Sequence, residues 1–404
     1  MSRGRMSMHG IRTLTALPLP ALSIAATGLT TALVPLGIQI FGNISMLGKF
    51  ALVYAPLTAA LAVQRLVLNQ NVSRGISTIR IPGLVKFLLI LRYTAVAASL
   101  AVQAVLGFEA WTLILTALVP IAMRQDYYRM VLFGRMRPRY ALASDVVWLS
   151  GAALGFFAMY QIQIPWRIEV FLAFNLVSAA VAFLLCAKGA SQLSLSDEVA
   201  SAPLRPLIGE AVAMNIFAQI SPFFVAYFVG YEVVGAYRSV LLIFAPVALA
   251  NTTIQLVVIA RLDIHSRRAV THAAVGAAVA CGMVSLLVIL ARFLDPVGIF
   301  ERLGFPGTTS FYWTALIVTL ASSLTIYLTV FMVRARMTIK SYIWFRAQLW
   351  SAIVEPIVSI PCSLAFGAPG LASGNVISSG MTAAYLGMVD AHRSASKLVN
   401  DNSV

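Results

Sequence analysis

The chain has 404 residues, 60% hydrophobic and 11% charged, with a mean hydropathy of +0.88 and a formal net charge of +15. A soluble domain carries roughly a quarter charged residues, so this composition excludes a water-soluble globule and requires a bilayer as solvent. The positive excess is mostly arginine; with no basic-aromatic surface motif it points to cytoplasmic loops and anionic lipid headgroups, not to nucleic acid.

Apolar runs long enough to span a bilayer fall at 14–41, 49–68, 83–107, 111–133, 140–161 and 168–188. Six more fall at 207–229, 234–260, 270–294, 308–333, 342–366 and 370–389. Arg3, Arg5 and Arg12 precede the first run, as in a signal peptide. That run is too long for a signal core and no A-x-A site follows it, so we read it as the first span. Three pairs of runs lie so close that they resemble single long helices, and Gly107, Gly230 and the glycines at 367–370 break them. A polar stretch at 189–206 (GASQLSLSDEVASAPLRP) separates six spans from six. The expected fold is an all-α polytopic membrane protein of about twelve transmembrane helices. Its expected parts are a six-helix lobe at 1–188, a cytoplasmic linker at 189–206, a second lobe at 207–389 and a cytoplasmic tail at 390–404.

Charge placement orients the chain. With the N-terminus inside, the inner segments hold Arg65, Arg74, Arg80, Arg124, Arg129, Arg135, Arg137, Arg139, Arg261, Arg267, Arg268, Arg334, Arg336 and others. The outer segments hold Lys49, Arg167, Arg292 and Arg302. Omitting one helix inverts every later loop and destroys this asymmetry, so the pattern supports both the count and cytoplasmic termini.

An even number of helices per half predicts parallel repeats related by an axis along the membrane normal. LGKFALVYAP at 47–56 opens span 2, and VGAYRSVLLIFAP at 234–246 opens span 8. Each follows a short outer turn and has Gly, an aromatic residue two positions on, then Ala-Pro.

These residues resemble the polysaccharide-flippase (Wzx-type) branch of the multidrug/oligosaccharidyl-lipid/polysaccharide exporter superfamily. The resemblance rests on Gly48 with Phe50, on Gly235 with Tyr237, and on FAQISPFFVAYF at 217–228 followed by the GYEVVGAY turn. It rests also on the small-residue last span, GAPGLASGNVISSGMTAAYLGMV. Many relatives carry an Asp in the seventh span near Gln219 to Ser221, and this chain does not. The resemblance implies a two-lobed, MATE/flippase-like transporter that moves a lipid-linked glycan on an undecaprenyl-pyrophosphate carrier across the cytoplasmic membrane. It implies membrane lipids, a polysaccharide polymerase and glycosyltransferases as companions.

An ionisable group inside a span is costly unless it faces a cavity or a partner. A pyrophosphate headgroup needs arginines, whose forks match its oxygens. Arg92 and Arg238 are the first candidates for it, with Arg124 and Arg129 behind them; snorkelling, pairing and topology signals are their ordinary alternatives. Glu355, Glu210 and Asp145 are candidates to bind a coupling ion. Glu210 and Asp145 also lie near helix starts, where a carboxylate can serve the dipole. Asn175, Asn215, Gln219, Asn251 and Gln255 add neutral polarity within spans. Pro18, Pro20, Pro35, Pro222 and Pro246 are candidate hinges or static kinks. Trp111, Trp166, Trp313 and Trp344 read as interfacial anchors.

The three cysteines, Cys186, Cys281 and Cys362, have no metal or disulfide spacing, and the four histidines are scattered. No P-loop, nucleotide motif or nucleophile-base constellation appears, so no cofactor, metal or enzymatic activity is expected. Two other readings stay open. One is an ion-coupled drug exporter of the same superfamily. The other is a membrane-embedded polysaccharide polymerase or glycosyltransferase, disfavoured because the longest outer segment, about 295–307, is small.

Overall fold

A computed structural model describes residues 18–73, 84–134, 137–162, 164–191, 208–209, 212, 219–245, 267–294, 298, 305, 308–338 and 341–401. The described residues contain helices and no strand. Twelve helices follow in order: α1 (Pro18–Phe41), α2 (Ile44–Ser73), α3 (Leu84–Leu106), α4 (Ala110–Gly134), α5 (Pro138–Gln161), α6 (Arg167–Ser191), α7 (Ile220–Phe228), α8 (Tyr231–Ile243), α9 (Arg267–Phe293), α10 (Thr309–Thr338), α11 (Ser341–Phe366) and α12 (Ala368–Asp401). Each falls on one of the twelve apolar runs. Among the described residues, α1, α2, α3, α5, α6 and the part of α11 from Leu349 are long and apolar enough to cross a membrane. Hydrocarbon offers the backbone no hydrogen-bond partner, and a helix meets that constraint by satisfying its own backbone within one segment.

The breaks between close runs have a backbone cause. Gly107, Gly230 and Gly367 have φ of +88°, +125° and +66°, a region that side chains rarely enter. α12 does not stop at the predicted membrane edge. It continues to Asp401, 34 residues in all, or about 51 Å against a hydrocarbon core of about 30 Å, so its last turns leave the bilayer.

The chain forms two compact units: 1–37 with 64–202, and 38–63 with 203–404. In the first, α6 packs on α4 and α5, and α3 packs on α4. Lipid is as apolar as leucine, so such contacts depend on close fit, not on escape from water. Small residues supply the fit: Gly151 lies against Ser178, Gly155 against Phe174 and Gly189 against the Tyr140 ring. In the second unit α11 packs on α12 and α7, and α10 packs on α9 and α12. The glycines of the last span sit in the α11–α12 seam, Gly370 against the Cys362 carbonyl and Gly374 against Ser359.

The second unit also explains the repeated Gly-x-aromatic motif. A Cβ on Gly48 would collide with the carbonyl of Tyr231, and a Cβ on Gly235 with the carbonyl of Ile44. Ile44 and Tyr231 are the first residues of α2 and α8. The contact is therefore reciprocal, each helix offering its first carbonyl to the other's glycine one turn in. That is the pattern of a self-complementary, two-fold contact.

Gly48→Val and Gly235→Val should each lower the melting temperature of the detergent-solubilised protein, because overpacking costs about 1–3 kcal/mol or more. Gly276→Ala should be neutral or stabilising, since Gly276 has open space around it and alanine favours a helix by about 1 kcal/mol. Equal melting of all three would refute the crossing.

Candidate functional site

Unit 1 holds a buried charge network that spans five helices. Arg129 on α4 is its centre, 4% exposed. Its Nη2 lies 2.7 Å from Oδ1 of Asp126, one turn back on the same helix. Its Nη1 lies 3.5 Å from Oδ2 of Asp145 on α5 and donates to the Thr27 hydroxyl on α1. The Phe133 ring lies 6.0 Å from the guanidinium carbon, within cation–π range.

Both acids are fully engaged. Asp126 accepts from Arg65 Nε at 2.9 Å and from Gln64 Nε2 at 3.1 Å, both on α2. Asp145 accepts from Gln125 Nε2 at 2.8 Å and from the Ser23 hydroxyl of α1. Gln125 also donates to Ser144 Oγ at 3.0 Å, which donates to the Ala182 carbonyl of α6 at 2.8 Å. Two cations meet two carboxylates, so the interior of unit 1 is electrically balanced. An isolated charge there would face a desolvation penalty of several kcal/mol; pairing and hydrogen bonding offset it.

This arrangement separates the two arginines of span 4. Arg129 points into the bundle and is neutralised; Arg124 is exposed. Asp145 serves no helix start, since it lies two turns into α5 and is bound from two other helices, α1 and α4. Asp126 is the member that sequence reading missed. The signal for it was the string RQDYYR, an acid between two arginines at i−2 and i+3 inside an apolar run.

Arg92 of α3 is half-buried, with its Nε buried and without a hydrogen-bond partner among the described residues. Its electrostatic neighbours are Arg124, Tyr93 and Tyr128. In unit 2, Arg238 of α8 also has a buried, unpartnered Nε, and its neighbour is Tyr237. Glu355, expected as its alternative partner, does not pair with it. Glu355 lies on α11, in a helix holding Pro356 and Pro361, beside the buried hydroxyl of Ser221 on α7. The Tyr237 side chain lies within electrostatic reach of Glu355 and beside Asn375 of α12. The hydroxyls of Ser221, Ser359 and Ser363 are buried without partners among the described residues.

Of the neutral candidates, Asn175 is buried and accepts from Trp148 Nε1 at 2.7 Å, a packing role. Glu210, Asn215, Pro246, Asn251 and Gln255 lie outside the described residues. Pro35 sits inside α1, whereas Pro222 occupies the first turn of α7, where its missing N–H costs nothing. Trp166 and Trp313 are exposed as interfacial anchors should be, but Trp111 is buried, its Nε1 held by Glu109 at 2.6 Å. Among the described residues no cluster of metal-ligating side chains appears.

Arg129→Leu should cost about 3–5 kcal/mol by leaving the buried Asp145 carboxylate without a cation and Asp126 with Arg65 alone. Arg65→Leu should cost under about 1 kcal/mol, because that side chain is 40% exposed. Thermal unfolding in one detergent checks the contrast; equal losses would mean that Arg129 is not the centre of the network.

No protein-family model and no curated relative matches the chain. Solved structures do. An inward-facing multidrug resistance MATE family transporter of the MOP superfamily aligns with a TM-score of 0.64 at 14% identity, covering 90% of this chain and 94% of its own. An outward-facing MATE family transporter aligns at 0.62 and 15%, covering 95% and 96%. A MOP superfamily transporter from Pyrococcus furiosus, described as having a binding pocket of reverse polarity that suggests a different function, aligns at 0.63 and 14%, covering 95% of each chain. The chain thus has the fold of MATE transporters of the MOP superfamily, an all-α polytopic membrane fold.

Proposed function

We propose that the chain is a membrane transporter that flips a lipid-linked oligosaccharide, of the undecaprenyl-pyrophosphate type, across the cytoplasmic membrane for surface polysaccharide synthesis. In this reading it has six-helix lobes at 1–188 and 207–389, cytoplasmic termini, and no catalytic residue. Its partners are the glycan lipid, membrane lipids and the polymerase and glycosyltransferases of the same pathway.

One observation carries the choice of substrate. The buried acids of unit 1 are already neutralised by Arg129 and Arg65. Arg92, Arg124 and Arg238 have no acid partner among the described residues. The charge left to act on a ligand is therefore positive, which suits a diphosphate, whose oxygens take guanidinium forks bidentately. Arg92, Arg124 and Arg238 are the headgroup candidates, and Arg129 acts through the shape of the network.

Glu355 favours a second reading. It is an unpaired carboxylate in a proline-interrupted helix, and broken helices often hold coupling ions or cationic substrates. A drug exporter would use it for the drug; a flippase would use it, with Asp145 and Glu210 behind it, for the coupling ion.

Deletion in the native host should cause lipid-linked oligosaccharide to accumulate, and Arg92→Ala with Arg238→Ala should fail to restore surface polysaccharide despite normal membrane levels. Each lost charge-assisted contact is worth about 1.5–3 kcal/mol, or roughly tenfold or more in binding. Unchanged glycan lipid with raised drug sensitivity would favour the exporter. Separately, Glu355→Gln should make transport in liposomes independent of an imposed proton or sodium gradient; a retained dependence moves coupling to another acid.

A further inference from the structure

We propose that Arg92 and Arg124 form a capture site on the lipid-facing side of unit 1, which takes the diphosphate of a polyprenyl-linked lipid while its hydrocarbon tail stays in the bilayer. This rests on the flippase reading above and deepens it, by naming where the substrate's charged group first meets the protein.

The register of α3 on α4 places the two arginines level. Gln103 Nε2 donates to the Thr112 carbonyl at 3.0 Å and to the Thr116 hydroxyl, and Thr112 Oγ1 donates back to Gln103 Oε1 at 3.1 Å. These bonds pin two antiparallel helices. Arg92 lies eleven residues back from Gln103 along α3. The same distance onward from Thr112 and Thr116 along α4 reaches 123–127, the segment that holds Arg124. At 1.5 Å per residue, Arg92 stands about 12 Å from the inner end of α3 and Arg124 about 15 Å from that of α4. Their guanidiniums are electrostatic neighbours.

Helical geometry sets the direction. Arg124 and Asp126 are two residues apart, about 200° around α4. Asp126 faces the balanced interior, so Arg124 faces away from it. Leu113 and Ala117 are exposed on the same stripe as Arg124. α3 flanks that stripe on one side, and Tyr128 leads to Phe183 of α6 on the other, their rings 6.0 Å apart. Most of the exposed side chains that α3 and α6 present are apolar, among them Val85, Leu89, Val181 and Leu184, with Lys86 and Lys188 exposed toward the ends of the two helices.

Two like charges at one depth, on an apolar surface, repel unless an anion joins them. Among the described residues no acid does so, and the buried Nε of Arg92 is a donor still to be used. A lipid diphosphate fits this need. It brings negative charge matched to two guanidiniums and a tail suited to the surrounding surface. A diacyl phospholipid such as phosphatidylglycerol brings one phosphate, and free pyrophosphate has no reason to enter an apolar face.

The test uses the full chain in nanodiscs of zwitterionic lipid, with farnesyl diphosphate as probe. Binding is measured for the parent, Arg92→Gln/Arg124→Gln, Arg92→Lys/Arg124→Lys and Arg238→Gln. The first double variant should lose about tenfold or more in affinity with an unchanged melting temperature, and the lysine pair should recover part of it. Arg238→Gln should lose less. Equal binding by the parent and the glutamine pair overturns the site, leaving the arginines as snorkelling side chains, while the flippase reading survives on the binding that remains. Equal competition by phosphatidylglycerol or by inorganic pyrophosphate overturns the assignment to a polyprenyl diphosphate. No farnesyl diphosphate binding by the parent overturns both the site and the flippase reading.

Discussion

A charge placed inside a bundle surrounded by hydrocarbon cannot fall back on water, and the core of unit 1 is organised around that constraint. Arg129 and its two carboxylates would each be prohibitively placed alone. Together, with Arg65, Gln64, Gln125, Ser23 and Thr27, they offset one another's charge, although Arg129 Nε and Gln64 Oε1 have no partner among the described residues. The consequence is geometric. α1, α2, α4 and α5 each contribute a group that has no other partner, and α6 receives the network through Ser144. Such a network need not exceed an apolar core in stability. What it supplies is register, since a slip of one residue in any contributing helix leaves a buried charge bare.

Unit 2 solves the same problem by a different route. Its described helices meet through small residues. The α11–α12 seam closes on Gly370 and Gly374, and α2 meets α8 backbone to backbone at Gly48 and Gly235. In lipid the gain comes from close dispersion contact, which a Cβ at these positions would abolish. The reciprocity of the Gly48 and Gly235 contacts also gives the repeated motif a physical reason. Each half uses a glycine one turn into its second helix because each half's helix must approach the other's first carbonyl. The separations from Ile44 to Tyr231 and from Gly48 to Gly235 are equal, as an internal duplication requires.

Much of this was legible in the sequence because bilayer and backbone impose simple rules. Hydropathy located twelve helices, and glycine located the breaks at Gly107, Gly230 and Gly367. The arginines and acids of interest stood out because apolar runs make every charge conspicuous. What stayed hidden was pairing. Asp126 passed unremarked between two arginines read as topology markers, and nothing local says that its partners are Gln64 and Arg65, some sixty residues earlier. Asp145 looked like a residue near a helix start, because the start at Pro138 is fixed by φ of the proline and not by hydropathy. Trp111 matched an interfacial anchor by position, yet the Glu109 carboxylate turns its ring nitrogen inward.

Pairing, not charge content, is also what distinguishes the functional readings. The chain's formal excess of positive charge is mostly loop arginine and says little about a ligand. Only the residue left after internal pairing can act on one. In unit 1 that residue is positive, because every described buried acid already has its arginine. In unit 2 it is one carboxylate and one arginine that do not neutralise each other, although they lie near the same tyrosine. Had Arg238 and Glu355 formed an ion pair, both would have been structural, and neither a headgroup site nor a coupling site would remain there. On the reading proposed above, their separation leaves each open to an opposite charge, an anion at Arg238 and a cation at Glu355. A carrier that couples an anionic lipid to an ion gradient needs both.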